Sequence, residues 1–176
     1  MGYVSKKVRY FTITLPFFFL FNSFVLADTQ NASFDVNATL IASCEAGTTT
    51  GGATSFGTLN FGDQIFLKQD IKVIGTQNAG AIRIKCNNNT NYKIVMGNGN
   101  SGNAQQRFMK RNNATDRIYY NLYTDSNYTT IWDSTVGLSQ IATGQEQWIP
   151  VYGMVYAQTT VYSGIYTDVI PVTISW

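Results

Sequence analysis

Two cysteines, Cys44 and Cys86, and a scatter of aspartates are the side chains in this 176-residue chain best suited to chemistry. Histidine is absent. That removes Ser-His-Asp and Cys-His catalysis, histidine zinc sites and the usual general base near neutral pH. Asp116, Asp125 and Asp133 could be grouped as a calcium or acid–base set, but their spacing fits no EF-hand loop. Isolated Asp residues among Asn, Ser and Thr are turn formers, and these three read as such. There is no Gly-rich phosphate cradle ending in Lys-Ser/Thr and no dinucleotide fingerprint. Carboxylate-only glycosidase chemistry has no positive sign in the sequence. The expectation is no catalytic residue, no metal, no cofactor and no small-molecule substrate.

Lys6, Lys7 and Arg9 precede an apolar, Phe-rich stretch from Phe11 to Leu26, and Val25-Leu26-Ala27 suits a signal peptidase. The run is short for a membrane span, which needs about 20 residues. Residues 1–27 therefore read as a signal peptide, with a mature chain from Asp28 to Trp176. Without the three leader cations, nine Lys/Arg face ten Asp/Glu, and the overall +2 becomes about −1. So balanced a chain lacks the basic face that sequence-independent nucleic-acid binding requires. The basic run Arg107-Phe108-Met109-Lys110-Arg111 reads as a solvated loop or strand rim. In an exported chain Cys44 and Cys86 are expected to form one disulfide, contributing about 4 kcal/mol in the chain-entropy model.

The elements that must position these residues are strands. Ser33–Ser43, Ser55–Phe61, Asp70–Ile74, Ala81–Cys86, Tyr92–Met96, Arg117–Tyr123, Gln147–Ala157 and Tyr166–Trp176 are rich in β-branched and aromatic residues. Gly, Asn, Ser and Thr clusters separate them, and no window carries a helical apolar period. Gly47–Thr54 and Gly97–Asn103 read as loops. The two outermost strands alternate most cleanly. Phe34, Val36, Ala38 and Leu40 share one face of the first; Tyr166, Ile170, Val172, Ile174 and Trp176 share one face of the last. A last strand with no successor is expected to leave an open apolar edge, which a monomer normally protects. Pro171 removes one N–H, so that strand is expected to be an edge there or to carry a bulge. The expected fold class is all-β, one sandwich domain.

Cys44, Phe56-Gly57-Thr58-Leu59-Asn60-Phe61-Gly62, Ile82-Arg83-Ile84-Lys85-Cys86 and Tyr92-Lys93-Ile94 resemble the front half of spore coat protein U domains. The back half is similar in order and spacing. It comprises Arg107-Phe108-Met109, Ile118 to Asp125, Trp132, Val151-Tyr152-Gly153, Gly164 to Asp168 and Val172-Thr173-Ile174. The resemblance covers nearly all of the mature chain. The family includes subunits of archaic chaperone–usher pili. It therefore implies an incomplete immunoglobulin-like sandwich completed by a donor strand from a neighbouring subunit. Residues 28–43 would be the donor segment, with Phe34, Val36, Ala38 and Leu40 entering the groove, and residues 44–176 the pilin domain. Ile170, Val172, Ile174 and Trp176 would form the acceptor edge and chaperone contact. Implied partners are other copies or sister subunits, a periplasmic chaperone and an outer-membrane usher. The implied location is the periplasm and then the cell surface, supporting adhesion and biofilm.

Two other functions fit the composition. Tyr119, Tyr120, Tyr123, Tyr128, Trp132 and Trp148 offer aromatic platforms for a secreted glycan- or surface-binding module. A protective coat component would use the same fold.

Overall fold

The computed structural model describes residues 30–50 and 53–176, and the expected leader, residues 1–27, lies outside them. Residues Thr39–Trp176 form one compact unit; residues 30–38 belong to a separate one and carry neither helix nor strand. The strands are β1 (Cys44–Ala46), β2 (Thr48–Thr50), β3 (Ala53–Ser55), β4 (Ile71–Ile74), β5 (Ile82–Cys86), β6 (Asn91–Met96) and β7 (Phe108–Arg111). They continue as β8 (Arg117–Tyr123), β9 (Leu138–Ile141), β10 (Gln147–Ile149), β11 (Tyr152–Val155), β12 (Tyr166–Thr167) and β13 (Val172–Ser175). Two 3-10 turns, Gly99–Ser101 and Ala104–Gln106, are the helical elements among the described residues.

One layer is a five-stranded sheet in the order β12-β7-β8-β11-β4. The other combines β1-β5-β10 with β13-β6-β9, and β2 and β3 form a separate hairpin. Every strand pairing is antiparallel. β9 and β10 run back along one side of β6 and β5, and the Asn89 N–H donates to Ala142 O where the two halves join. β1 and β13 consequently share the other side of the β5–β6 line, end to end.

Period-two alternation builds the core. Ile82, Ile84 and Cys86 of β5, and Tyr92, Ile94 and Met96 of β6, turn inward and are buried. They meet Tyr120 and Leu122 of β8 and Val155 of β11 across the sandwich. Cys44 and Cys86 are directly opposed in the β1–β5 pair and joined by a disulfide.

Several expected strands differ in extent. Gln147–Ala157 splits into β10 and β11 at Pro150, and the halves belong to different layers. Tyr166–Trp176 likewise splits into β12 and β13 around Pro171, yet the alternation of half-buried and exposed residues runs unbroken from Tyr166 to Ser175. Ser55–Phe61 is not a strand. Gly57 adopts φ +81° with the Asn78 carbonyl against it, and Gly62 adopts φ +72°, so the chain turns repeatedly. Ser33–Ser43 is not a strand either, because a strand needs a ladder partner and this one has none among the described residues. β7 and β9 were not legible as separate strands, and the Gly47–Thr54 loop carries the β2–β3 hairpin.

Candidate functional site

The inner faces of the two layers are not closed against each other. Between them lies a groove of about 1730 Å³. Its floor and walls are core residues: Ile82, Met96, Tyr120, Leu122, Val151 and Val155 all line it. These residues are themselves buried, so the groove reaches down to the core without exposing it, and its rim is made by more open side chains such as Ile65 and Phe66.

β13 forms one wall. Ile170, Val172, Ile174 and Trp176 all line the groove, so the structure brings these four together on one face as their parity requires. Among the described residues β13 pairs with β6 alone, and its other edge has no strand beside it. The register shows which backbone groups point to that edge. Gly97 N–H donates to Pro171 O at 2.7 Å, so 171 and 97 form the hydrogen-bonding type of antiparallel pair. These alternate with non-bonded pairs along a ladder. Thr173 and Ser175 therefore face β6, while Val172 and Ile174 turn their N–H and C=O groups to the free edge.

Pro171 cannot return a hydrogen bond to Gly97 O. Arg107 supplies the donors instead, with Nε at 3.0 Å and Nη2 at 2.8 Å from that oxygen. The same guanidinium donates to Met96 O, Trp132 O and Asn121 Oδ1. Arg107 is fully buried, and desolvation lowers its pKa. The expectation of a solvated basic run is thus corrected at its first residue: the side chain is an internal staple, because Gly97 O would otherwise be left without its ladder donor. Arg111 is tied to Asp116 at 2.6 Å.

Asp168 fixes the connector that delivers Ile170 to the groove. It accepts from Asn100 N–H at 2.8 Å and from Tyr120 Oη at 2.7 Å. Gly99 is obligatory beside it, since a Cβ there would overlap the carboxylate. Burial, then the bond to Asp168, pushes the Tyr120 phenol far above its ordinary pKa.

Of the three aspartates grouped in the sequence, Asp125 and Asp133 are turn formers, as their context implies, whereas Asp116 holds Arg111. Asp125 accepts from the N–H groups of Asn127, Thr129 and Thr130; Asp133 accepts from those of Thr135, Val136 and Gly137. These backbone donors lower both carboxyl pKa values. Among the described residues no three His, Cys, Asp or Glu side chains converge on a metal position. The six aromatics considered as a platform do not form one. Trp132 and Tyr120 are buried in the core, Trp148 packs on the β5–β10 sheet beside Glu146, Tyr123 and Tyr128 stack edge-to-face, and the exposed Tyr119 stands edge-on to Phe108.

Phe34, Val36 and Leu40 are more than 80% exposed, and Ala38 is exposed too. Within the compact unit, Ser43 exchanges bonds with Asn87 just ahead of β1.

The model of the Spore Coat Protein U domain matches residues 30–173, which is most of the chain. The chain belongs to the Spore Coat Protein U domain family. Protein U of Myxococcus xanthus is 30% identical over 162 residues, spanning 85% of this chain and 87% of that one. Among solved structures, the CsuC–CsuE chaperone–tip adhesion subunit pre-assembly complex of archaic Csu pili from Acinetobacter baumannii is similar, at TM-score 0.47 and 22% identity. The likeness covers 78% of this chain but 40% of that one. A chaperone–tip adhesin complex of CFA/I fimbriae gives TM-score 0.42 and 11% identity, covering 75% of this chain and 42% of that one. Both likenesses are too distant to bear on function.

Proposed function

We propose that this protein is an exported structural subunit of a surface pilus, polymerised by strand donation between copies or with sister subunits. The observation that carries the reading is the pairing of two incomplete parts in one chain. A groove lined by core residues has a free strand edge, and an exposed segment has the alternation of a strand without a ladder. Phe34, Val36, Ala38 and Leu40 of one copy enter the groove of the next, against Ile170, Val172, Ile174 and Trp176. This is β-strand addition, in which main-chain bonds supply the ladder and alternate side chains fill pockets.

Burying Phe34, Val36 and Leu40 is worth roughly 5–8 kcal/mol before ordering costs, at about 1.5–3 kcal/mol each. A slip of one residue would turn Asp35, Asn37 and Thr39 inward instead, so the register is firm. The chain's own layout favours donation outward. A segment continuing β1 backwards along the β5–β6 line would run into the lane that β13 occupies.

Residues 1–27 act as the export signal. A periplasmic chaperone holds the groove before an outer-membrane usher exchanges it for the next subunit, as the family resemblance implies. The assembled fibre supports adhesion and biofilm. No catalysis is involved.

Light scattering after size-exclusion chromatography tests the reading. The mature chain is expected to form SDS-resistant ladders. A chain lacking Asp28 to Ser43 is expected to be unstable alone and a stable monomer with a synthetic Ser33–Ser43 peptide. Two stable monomers indifferent to the peptide would show a self-complete fold.

A further inference from the structure

We infer that a shallow cavity on the outward face of β6, β9 and β13 binds an acidic saccharide, a polymer of hexuronate units. The cavity measures about 410 Å³, within the range of pockets that hold small ligands. Tyr92 and Ile94 of β6 turn into the core, so Asn91 and Lys93 turn outward. The ladders set their neighbours. Lys93 stands opposite Ser139 of β9 and Ser175 of β13, and Asn91 stands opposite Ile141. Two hydroxyls thus flank one ammonium in a single row, at the strand spacing of about 4.8 Å. Trp176 lines the cavity as well.

Three observations point to a sugar acid. The first is a set of polar side chains with little to do inside the protein. Among the described residues that line the cavity from outside, Lys93 alone has a side-chain partner, donating to Thr135 O at 2.7 Å. That bond holds the ammonium in place and leaves two of its three N–H donors. Elsewhere on the surface the side chains of Asn98, Asn103, Asp125 and Asp133 are tied into turns. The second is a cation without an anion. The ion pairs among the described residues are Arg83–Glu146 and Arg111–Asp116, and no Asp or Glu side chain lines the cavity. The third is apolar surface in the open, since Ile141 and Trp176 are 59% and 57% exposed. Together they suit a pyranose ring. Its C–H face rests on Ile141 and Trp176, its hydroxyls meet Asn91, Ser139 and Ser175, and its carboxylate meets Lys93 in a charge-assisted bond. Ser175 has the opposite parity to Ile174, so the row points away from the groove. Saccharide binding here does not require strand donation. In a fibre it would repeat once per subunit and gain avidity.

Titration calorimetry of the mature chain with a β-linked mannuronate oligomer tests this, with the mannose oligomer of the same length and linkage as its neutral counterpart. Mannuronate is expected to bind at least about tenfold more tightly than mannose, and Lys93→Gln to remove that preference. Asn91→Asp, at an exposed position, is expected to weaken mannuronate binding at least about tenfold by placing a like charge in the cavity. Arg117→Gln, on the five-stranded layer, is expected to change neither affinity. Equal affinity for the two oligomers, or no measurable binding of mannuronate, would overturn the inference. So would a loss with Arg117→Gln as large as that with Lys93→Gln, which would show attraction to the whole surface and no site.

Discussion

The Arg107 staple and the groove are opposite solutions to the same problem, an incomplete ladder. Where Pro171 withholds a donor, the fold closes the gap internally: Arg107 reaches in, satisfies Gly97 O and three more acceptors, and is buried completely. One residue further on, Val172 and Ile174 offer their backbone to an edge that nothing in the described chain fills. No buried side-chain polar atom among the described residues lacks a partner, so the fold does not tolerate loose ends generally. The free edge is confined to the groove. On the strand-donation proposal, stability and assembly are therefore carried by different residues only a few positions apart.

That contrast can be broken experimentally, beginning at the staple. Arg107→Leu strands three carbonyls and the Asn121 amide, at about 1–3 kcal/mol each before relaxation, for a total near 5 kcal/mol. Urea unfolding should show that loss in the midpoint. Replacing Cys44 and Cys86 together with Ser should cost about 4 kcal/mol, since the bridge spans a separation of 42 residues. The same unfolding measurement reads it. By contrast, Ile174 is half-buried on the groove wall, so Ile174→Asp should cost less than losing the staple, about 1–3 kcal/mol. It should nevertheless abolish uptake of the Ser33–Ser43 peptide in a titration. A stability loss there as large as the staple's, or unimpaired uptake, would erase the distinction between the two regions.

The smallest effect is in pH. Asp125 and Asp133 have lowered folded pKa values, so their contribution is present above the unfolded Asp value of about 3.9 and lost as pH falls through the folded values. Tyr120 and Tyr123 have raised values. Their contribution is whole below the unfolded Tyr value of about 10 and declines as pH rises from there. With no histidine in the chain, the melting temperature should be flat between about pH 5 and 9.

The sequence made the groove wall legible and the staple invisible, for physical reasons. The alternation of Ile170, Val172, Ile174 and Trp176 follows from the two-residue strand period, which survives the break at Pro171. Asp125 and Asp133 were readable because turn chemistry is local. Arg107 was not, because an arginine next to Lys110 and Arg111 looks solvated until Gly97 and Pro171, distant in sequence, are seen to be paired. Gln147–Ala157 reads as one strand since nothing in its composition says that β10 and β11 enter different layers; only Pro150 hints at the break. Ser55–Phe61 carries strand patterning without a strand, since patterning specifies a face and not the partner that must lie beside it.

The most direct test of strand donation is a pair of co-expressed chains, one carrying Val36→Cys and the other Ile174→Cys, each retaining the native bridge. After mild oxidation, a non-reducing gel is expected to show a cross-linked dimer of the two chains, with Asn37→Cys in place of Val36→Cys giving none. A chain carrying both Val36→Cys and Ile174→Cys that oxidises wholly within itself, with no cross-link between copies, would contradict donation and show a segment serving its own molecule.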